Sequence, residues 1–93
     1  MDEQHLIKNA IVELTRKGGM AWATYHHRDI FGVFDIIHVN DAGQSSYYQV
    51  STKDHRWSRL HKIDCLRQKH TLPYASYLML WDYSAAQFII ESL

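Results

Sequence analysis

Apolar residues recur at Leu6, Ile7, Ala10, Ile11 and Leu14, the spacing of one face of a helix. This predicts a first helix over about residues 3–17. Arg16 and Lys17 suit its negative C-terminal end and Gly18-Gly19 its stop. Met20 to Tyr25 follows as a strand containing Trp22, and His26-His27-Arg28-Asp29 as a polar loop. Phe31 to Val39 is apolar at nearly every position, the pattern of a central strand covered on both faces. Asn40-Asp41-Ala42-Gly43 marks a turn, and Ser46 to Thr52 a third strand. Lys53 to about His70 has a helical stripe of Trp57, Leu60, Ile63 and Leu66, closed by Pro73. Ala75 to Trp81 is a fourth strand. Ser84 to Leu93 fits either a short helix or a last strand. A three-strand meander followed by a helical crossover predicts an α/β fold, a mixed four-stranded sheet flanked by helices.

Composition narrows the class. Ninety-three residues with 46% apolar content suit one domain spanning residues 1–93. The single cysteine, Cys65, rules out an internal disulfide and fits a reducing, cytoplasmic setting, with a buried place in the second helix as its default. The acidic, polar start is unlike a signal peptide, and no apolar run reaches the roughly 20 residues that span a bilayer, so no membrane role is expected. Net charge is zero, yet Lys53 to His70 holds six basic residues against two acids. That segment is the expected place for contact with a phosphate backbone.

The chemistry concentrates on two strands. Side chains alternate along a strand, so Tyr47, Gln49, Ser51 and Lys53 share one face, and Val33, Asp35 and Ile37 share one on the strand before. If Asp35 and Gln49 face the same way, a carboxylate, an amide oxygen and a hydroxyl converge. Hard cations such as Mg²⁺ accept oxygen ligands of this kind, and a nearby lysine could orient the attacking water. Seven histidines lack zinc-ligand spacing, and one cysteine builds no thiolate site. There is no Gly-rich phosphate loop and no nucleophile elbow.

Over Gly32 to Lys62 the chain resembles the PD-(D/E)XK superfamily, the restriction-endonuclease-like nucleases that include archaeal Holliday junction resolvases. The family carries an acid on the second strand and acid-x-lysine on the third. Asp35 matches the first acid, Gln49 takes the second acid's place, and Ser51 stands where the lysine usually is. Gln49-Val50-Ser51, followed by a helix with Arg59 and Lys62, looks like a small phage or mobile-element branch. The resemblance implies a restriction-endonuclease-like αβββαβ core, a homodimer, and Mg²⁺- or Mn²⁺-dependent hydrolysis of DNA, branched DNA included. Asp35 and Gln49 would bind the metal with the backbone oxygen of Val50. Glu13 is a candidate for the first-helix glutamate that completes the shell in family members.

Two lysines could replace the missing one. Lys53 lies on the correct face but one strand repeat, about 6.5 Å, further on; Lys62 lies on the following helix. His55, Arg59, Lys62 and Lys69 form one helical stripe, and with Lys53 and Arg56 they are the expected nucleic-acid contacts. Plainer readings stand beside these. Asp35 could pair with Arg59 or be capped by backbone, Asp54 could cap the second helix, and Tyr47 and Tyr48 could serve sheet packing. The whole protein could be an inactive nuclease fold that binds nucleic acid or a protein as a regulator or inhibitor. It could also be a protein-interaction module with no nucleic-acid role.

Overall fold

The computed structural model describes residues 2–24 and 28–93. Along the chain come α1 (Glu3–Thr15), β1 (Met20–Ala23), β2 (Ile36–Val39), β3 (Ser45–Thr52), a 3-10 turn (Lys53–His55), α2 (Arg56–Arg67), β4 (Ser76–Asp82) and β5 (Gln87–Ser92). The strands form one mixed sheet in the order β1-β2-β3-β4-β5. β3 and β4 are parallel and every other pair is antiparallel. A parallel pair needs a crossover, and α2 supplies it.

The α/β class and the mixed sheet follow the sequence pattern, but the sheet has five strands rather than four. The tail is β5, turned back on β4 by a tight hairpin. Asp82 Oδ1 accepts from Ser84 N (3.0 Å) and Ser84 Oγ (2.7 Å), and Ala86 takes a left-handed φ of 51°. An alanine there gives no turn signal, so the sequence pattern of the tail fits helix and strand alike.

Alternation decides which face each helix covers. Leu6, Ile7 and Ala10 of α1 pack on Ala23, Ile36, Tyr48, Val50 and Met79. Ile63 of α2, with Leu60, packs on Leu78 and Leu80 across the sheet. Asp2 caps α1, its Oδ1 accepting from His5 N at 2.9 Å. The second helical segment is shorter than its pattern, because Lys53–His55 forms a 3-10 turn and the α-helix ends at Arg67. Neither Asp54 nor any other side chain caps it. Two burial expectations on this helix are corrected, Trp57 of the apolar stripe and Cys65. Trp57 is 77% exposed, in the first turn of α2 beneath the Arg56 guanidinium (5.1 Å from its ring centre). Cys65 is exposed too, beside His61.

The largest correction concerns the second strand. Residues 30–34 do not extend; they close a tight turn. Ile30 pairs with Phe34, Ile30 N donating to Phe34 O at 2.8 Å. Phe31 (φ 54°) and Gly32 (φ 78°) are both left-handed, the pair of conformations that tight hairpin turns need. Only after Asp35 does β2 begin. The predicted first strand is also shorter, ending at Ala23; Tyr25 and the His26-His27 pair lie outside the described residues.

β1 is one free edge of the sheet. Met20 (70% exposed) and Trp22 (71% exposed) point to the face that α1 does not cover. Among the described residues, no helix is long and apolar enough to cross a membrane.

Candidate active site

The site is built on β3 and on the residue that precedes β2. Ile36 lies opposite Tyr48, so continuing the register sets Asp35 opposite Gln49. The Asp35 backbone is held on both sides: its N–H donates to Tyr48 O (2.8 Å) and its carbonyl accepts from Thr24 N (3.0 Å). Its side chain turns to the α2 face. Oδ2 accepts from Gln49 Nε2 and from Val50 N, each at 2.8 Å. Asp35 is 4% exposed, Gln49 3% and Ser51 4%, so three polar side chains are buried together. Such burial requires partners. One atom lacks them: Gln49 Oε1 is buried without a hydrogen bond.

A second acid stands beside the first. Burial pushes Asp35 up to about 7; the Val50 N–H pulls against it, while Asp29 raises it by charge and hydrogen bonding and Glu3 by charge. Asp29 is held by Thr24 Oγ1, which donates to its Oδ1 (3.4 Å), and by Lys62 Nζ, which donates to its Oδ2 (3.3 Å). Asp29 has no place in the family pattern read from the sequence. The turn at Phe31-Gly32 folds it back toward Asp35; a strand running through Phe31 would have carried it away. The signal available was Gly32 midway between two acids.

α2 lies over this cluster with successive turns. Arg59 Nε donates to Ser51 Oγ at 3.3 Å, and Lys62 reaches Asp29. The site therefore gathers Asp35, Gln49, Val50, Ser51, Arg59 and Lys62, as the strand and helix patterns suggested, and adds Asp29. Asp35 does not pair with Arg59; the Val50 backbone caps it.

Other candidates go elsewhere. Lys53 leaves the strand at the 3-10 turn, and its Nζ lies 3.5 Å from Asp82 Oδ2. Arg56 Nε donates to both oxygens of Glu91 on β5 (2.8 and 3.1 Å). Glu13 pairs with Arg16 on α1 at 3.0 Å, so the α1 glutamate that Asp35 feels is Glu3. His55 Nδ1 meets Thr52 Oγ1 at 2.9 Å. Lys69 lies past the end of α2. Tyr47 and Tyr48 pack on neighbouring rings, Tyr48 stacking on Tyr77 at 5.2 Å.

Among the described residues, no three His, Cys, Asp or Glu side chains gather around a common point that could hold a metal. The candidate donors are the neighbouring carboxylates of Asp35 and Asp29 and the orphaned amide oxygen of Gln49, whose Nε2 is bound to Asp35. This fits a Mg²⁺-type ion, which takes one or two carboxylates and leaves its other positions to water and phosphate. No known family profile, curated protein or solved structure matches the chain.

Proposed function

We propose that this chain is a metal-dependent nuclease-like protein of the PD-(D/E)XK superfamily that hydrolyses phosphodiester bonds in DNA. The reading includes the family's restriction-endonuclease-like core, its homodimeric assembly and a phage or mobile-element origin. One observation carries it: the buried Asp35 stands beside Asp29 and is bound by Gln49, whose Oε1 has no partner, with Lys62 and Arg59 reaching in from α2. Asp29 adds to the cost of ionising the buried Asp35, and a divalent cation held there would remove that cost.

Asp35, Asp29 and Gln49 would hold Mg²⁺ or Mn²⁺. A bound ion of this type polarises a phosphoryl oxygen and lowers the pKa of a bound water. Val50 N–H and Gln49 Nε2 fix the Asp35 carboxylate in one orientation. Lys62, placed by Asp29, supplies the positive charge that the missing strand lysine would give. Arg59 neutralises phosphate charge from the next turn of α2.

A second reading also has an observation behind it. Ser51 stands at the lysine position and the Lys62 ammonium is already engaged by Asp29, an arrangement equally suited to a fold that binds without cutting. A cleavage assay with Mg²⁺ or Mn²⁺ on duplex, single-stranded and branched DNA, with Asp35→Ala beside the wild type, separates them. Cleavage lost in the variant supports the nuclease. Wild-type protein that cuts nothing leaves the binding protein.

A further inference from the structure

Beside the candidate site lies a second concavity. A cavity of about 360 Å³ is lined by Phe31, Leu66, His70, Thr71 and Pro73. It is at the small end of the range for ligand sites, about 300–1,000 Å³, and suits a ligand of one or two rings. Its position follows from α2: Arg59 lies over Ser51, Lys62 over Asp29, and Leu66 over the Phe31 turn. Phe31 is two residues from Asp29, so their Cα atoms are at most about 7 Å apart.

Phe31 is an unusual wall. Its φ of 54° is a conformation that bulky residues avoid, and its ring is 60% exposed. One edge rests on Tyr47, with ring centres 5.8 Å apart, and the remainder is open. Backbone strain that holds an aromatic ring in solvent, next to two acids, is the kind retained at binding sites. The adjoining cavity, about 540 Å³, shares His70, Thr71 and Pro73 and adds Arg67, Lys69 and Tyr74. Arg67 pairs with Asp64 at 2.9 Å, while Lys69 makes no ion pair among the described residues. An apolar slot thus has two cations near it, Lys69 in the adjoining cavity and Lys62 one turn of α2 before Leu66, where Asp29 holds it. That matches a strand whose phosphates are anionic and whose base is flat and apolar on its faces.

We propose that the Phe31–Pro73 cavity takes one unstacked base of a DNA strand, so that the preferred substrate is single-stranded DNA or DNA with an unpaired nucleotide at the scissile position. The inference rests on the nuclease reading and names its substrate class. The base stacks on Phe31, the phosphates on either side of it meet Lys62 and Lys69, and the phosphodiester is left at Asp29 and Asp35.

The test is fluorescence anisotropy with a labelled single strand and the same sequence as duplex, in chelator so that nothing is cut. The variants are Phe31→Gly and Thr71→Trp. Glycine is at ease at positive φ, so the first relieves strain as it removes the ring; the second fills the cavity from an exposed position. Wild type is expected to bind the single strand about tenfold tighter than the duplex, and both variants to lose about that factor on the single strand only, the scale of one base–aromatic stack. Equal affinity for the two forms, or variants without effect, overturns the inference; cleavage that depends on Asp35 then keeps the nuclease reading intact. If wild type binds neither form, the nuclease reading itself fails and takes the inference with it.

Discussion

The buried carboxyl of Asp35 makes stability depend on pH. Its folded pKa, about 7, is above the ordinary 3.8. The folded protein therefore holds a proton that the unfolded chain has released, and stability falls as pH rises from about 4 to about 7, then levels off. At about 1.4 kcal/mol per unit, ionising Asp35 costs up to about 4 kcal/mol. Asp35→Asn keeps the acceptor for Val50 N–H and removes the charge. We expect its melting temperature to exceed the wild type's by several degrees at pH 8 and to show no gain at pH 4. Added Mg²⁺ or Mn²⁺ should raise the wild-type melting temperature at pH 8 and leave Asp35→Asn unmoved; chelator should reverse the gain. The two lysines divide as well. Lys62→Met should abolish cleavage with metal stabilisation retained, while Lys53→Met should leave turnover within about twofold, because Lys53 serves Asp82. Asp35 and Gln49 were legible from strand alternation, since period two fixes which side chains share a face. Asp29 was not, because its place depends on the left-handed pair at Phe31-Gly32.

The turns, more than the helices and strands, decided which predictions held. The α1 face, β3, β4 and the Asn40–Gly43 turn follow from period and turn chemistry; Asn40 Oδ1 accepts from Ala42 N and Gln44 N at 3.0 and 2.9 Å, as an Asx turn should. The Phe31 and Ala86 turns are closed by residues that give no turn signal, so the pattern carries β2 back through Phe31 and fits the tail as helix or strand alike. Two glycines show how differently turns can depend on space. At Gly32 (φ 78°) an added Cβ would meet nothing within 4 Å. Gly32→Ala should cost only its backbone strain, about 1–2 kcal/mol. At Gly19 (φ 79°) a Cβ would run into Val39 O and come within 2.7 Å of His38 Nε2, in the connection that docks β1 on β2. Gly19→Ala should be markedly the more destabilising, by several degrees in melting temperature, and a thermal scan of the pair measures the difference.

Charge balance gives the molecule little long-range pull on nucleic acid. The basic segment after β3 is partly spent inside the fold, Lys53 on Asp82 and Arg56 on Glu91. Arg59 and Lys69 remain on the site side, joined by Lys62 from its pair with Asp29, so with all three on phosphate the logarithm of single-strand affinity should fall with the logarithm of salt with a slope near −2. A titration from low to moderate salt checks it, and a slope much steeper would mean that the Lys53 and Arg56 ion pairs open on binding as well. The core has a mechanical consequence of its own. β3 has a strand on each side and a helix on each face, while β1 and β5 form the rims. Amide protons on the rims should exchange first and those of β3 last, because local openings begin where the backbone has fewest neighbours. Asp35 and Gln49 are fastened to that last-opening strand. The Asp35–Gln49 half of the candidate site should outlast openings of the rims, while Asp29, held through Thr24 at the end of β1, should loosen with that edge, so the two halves of the site come apart in sequence.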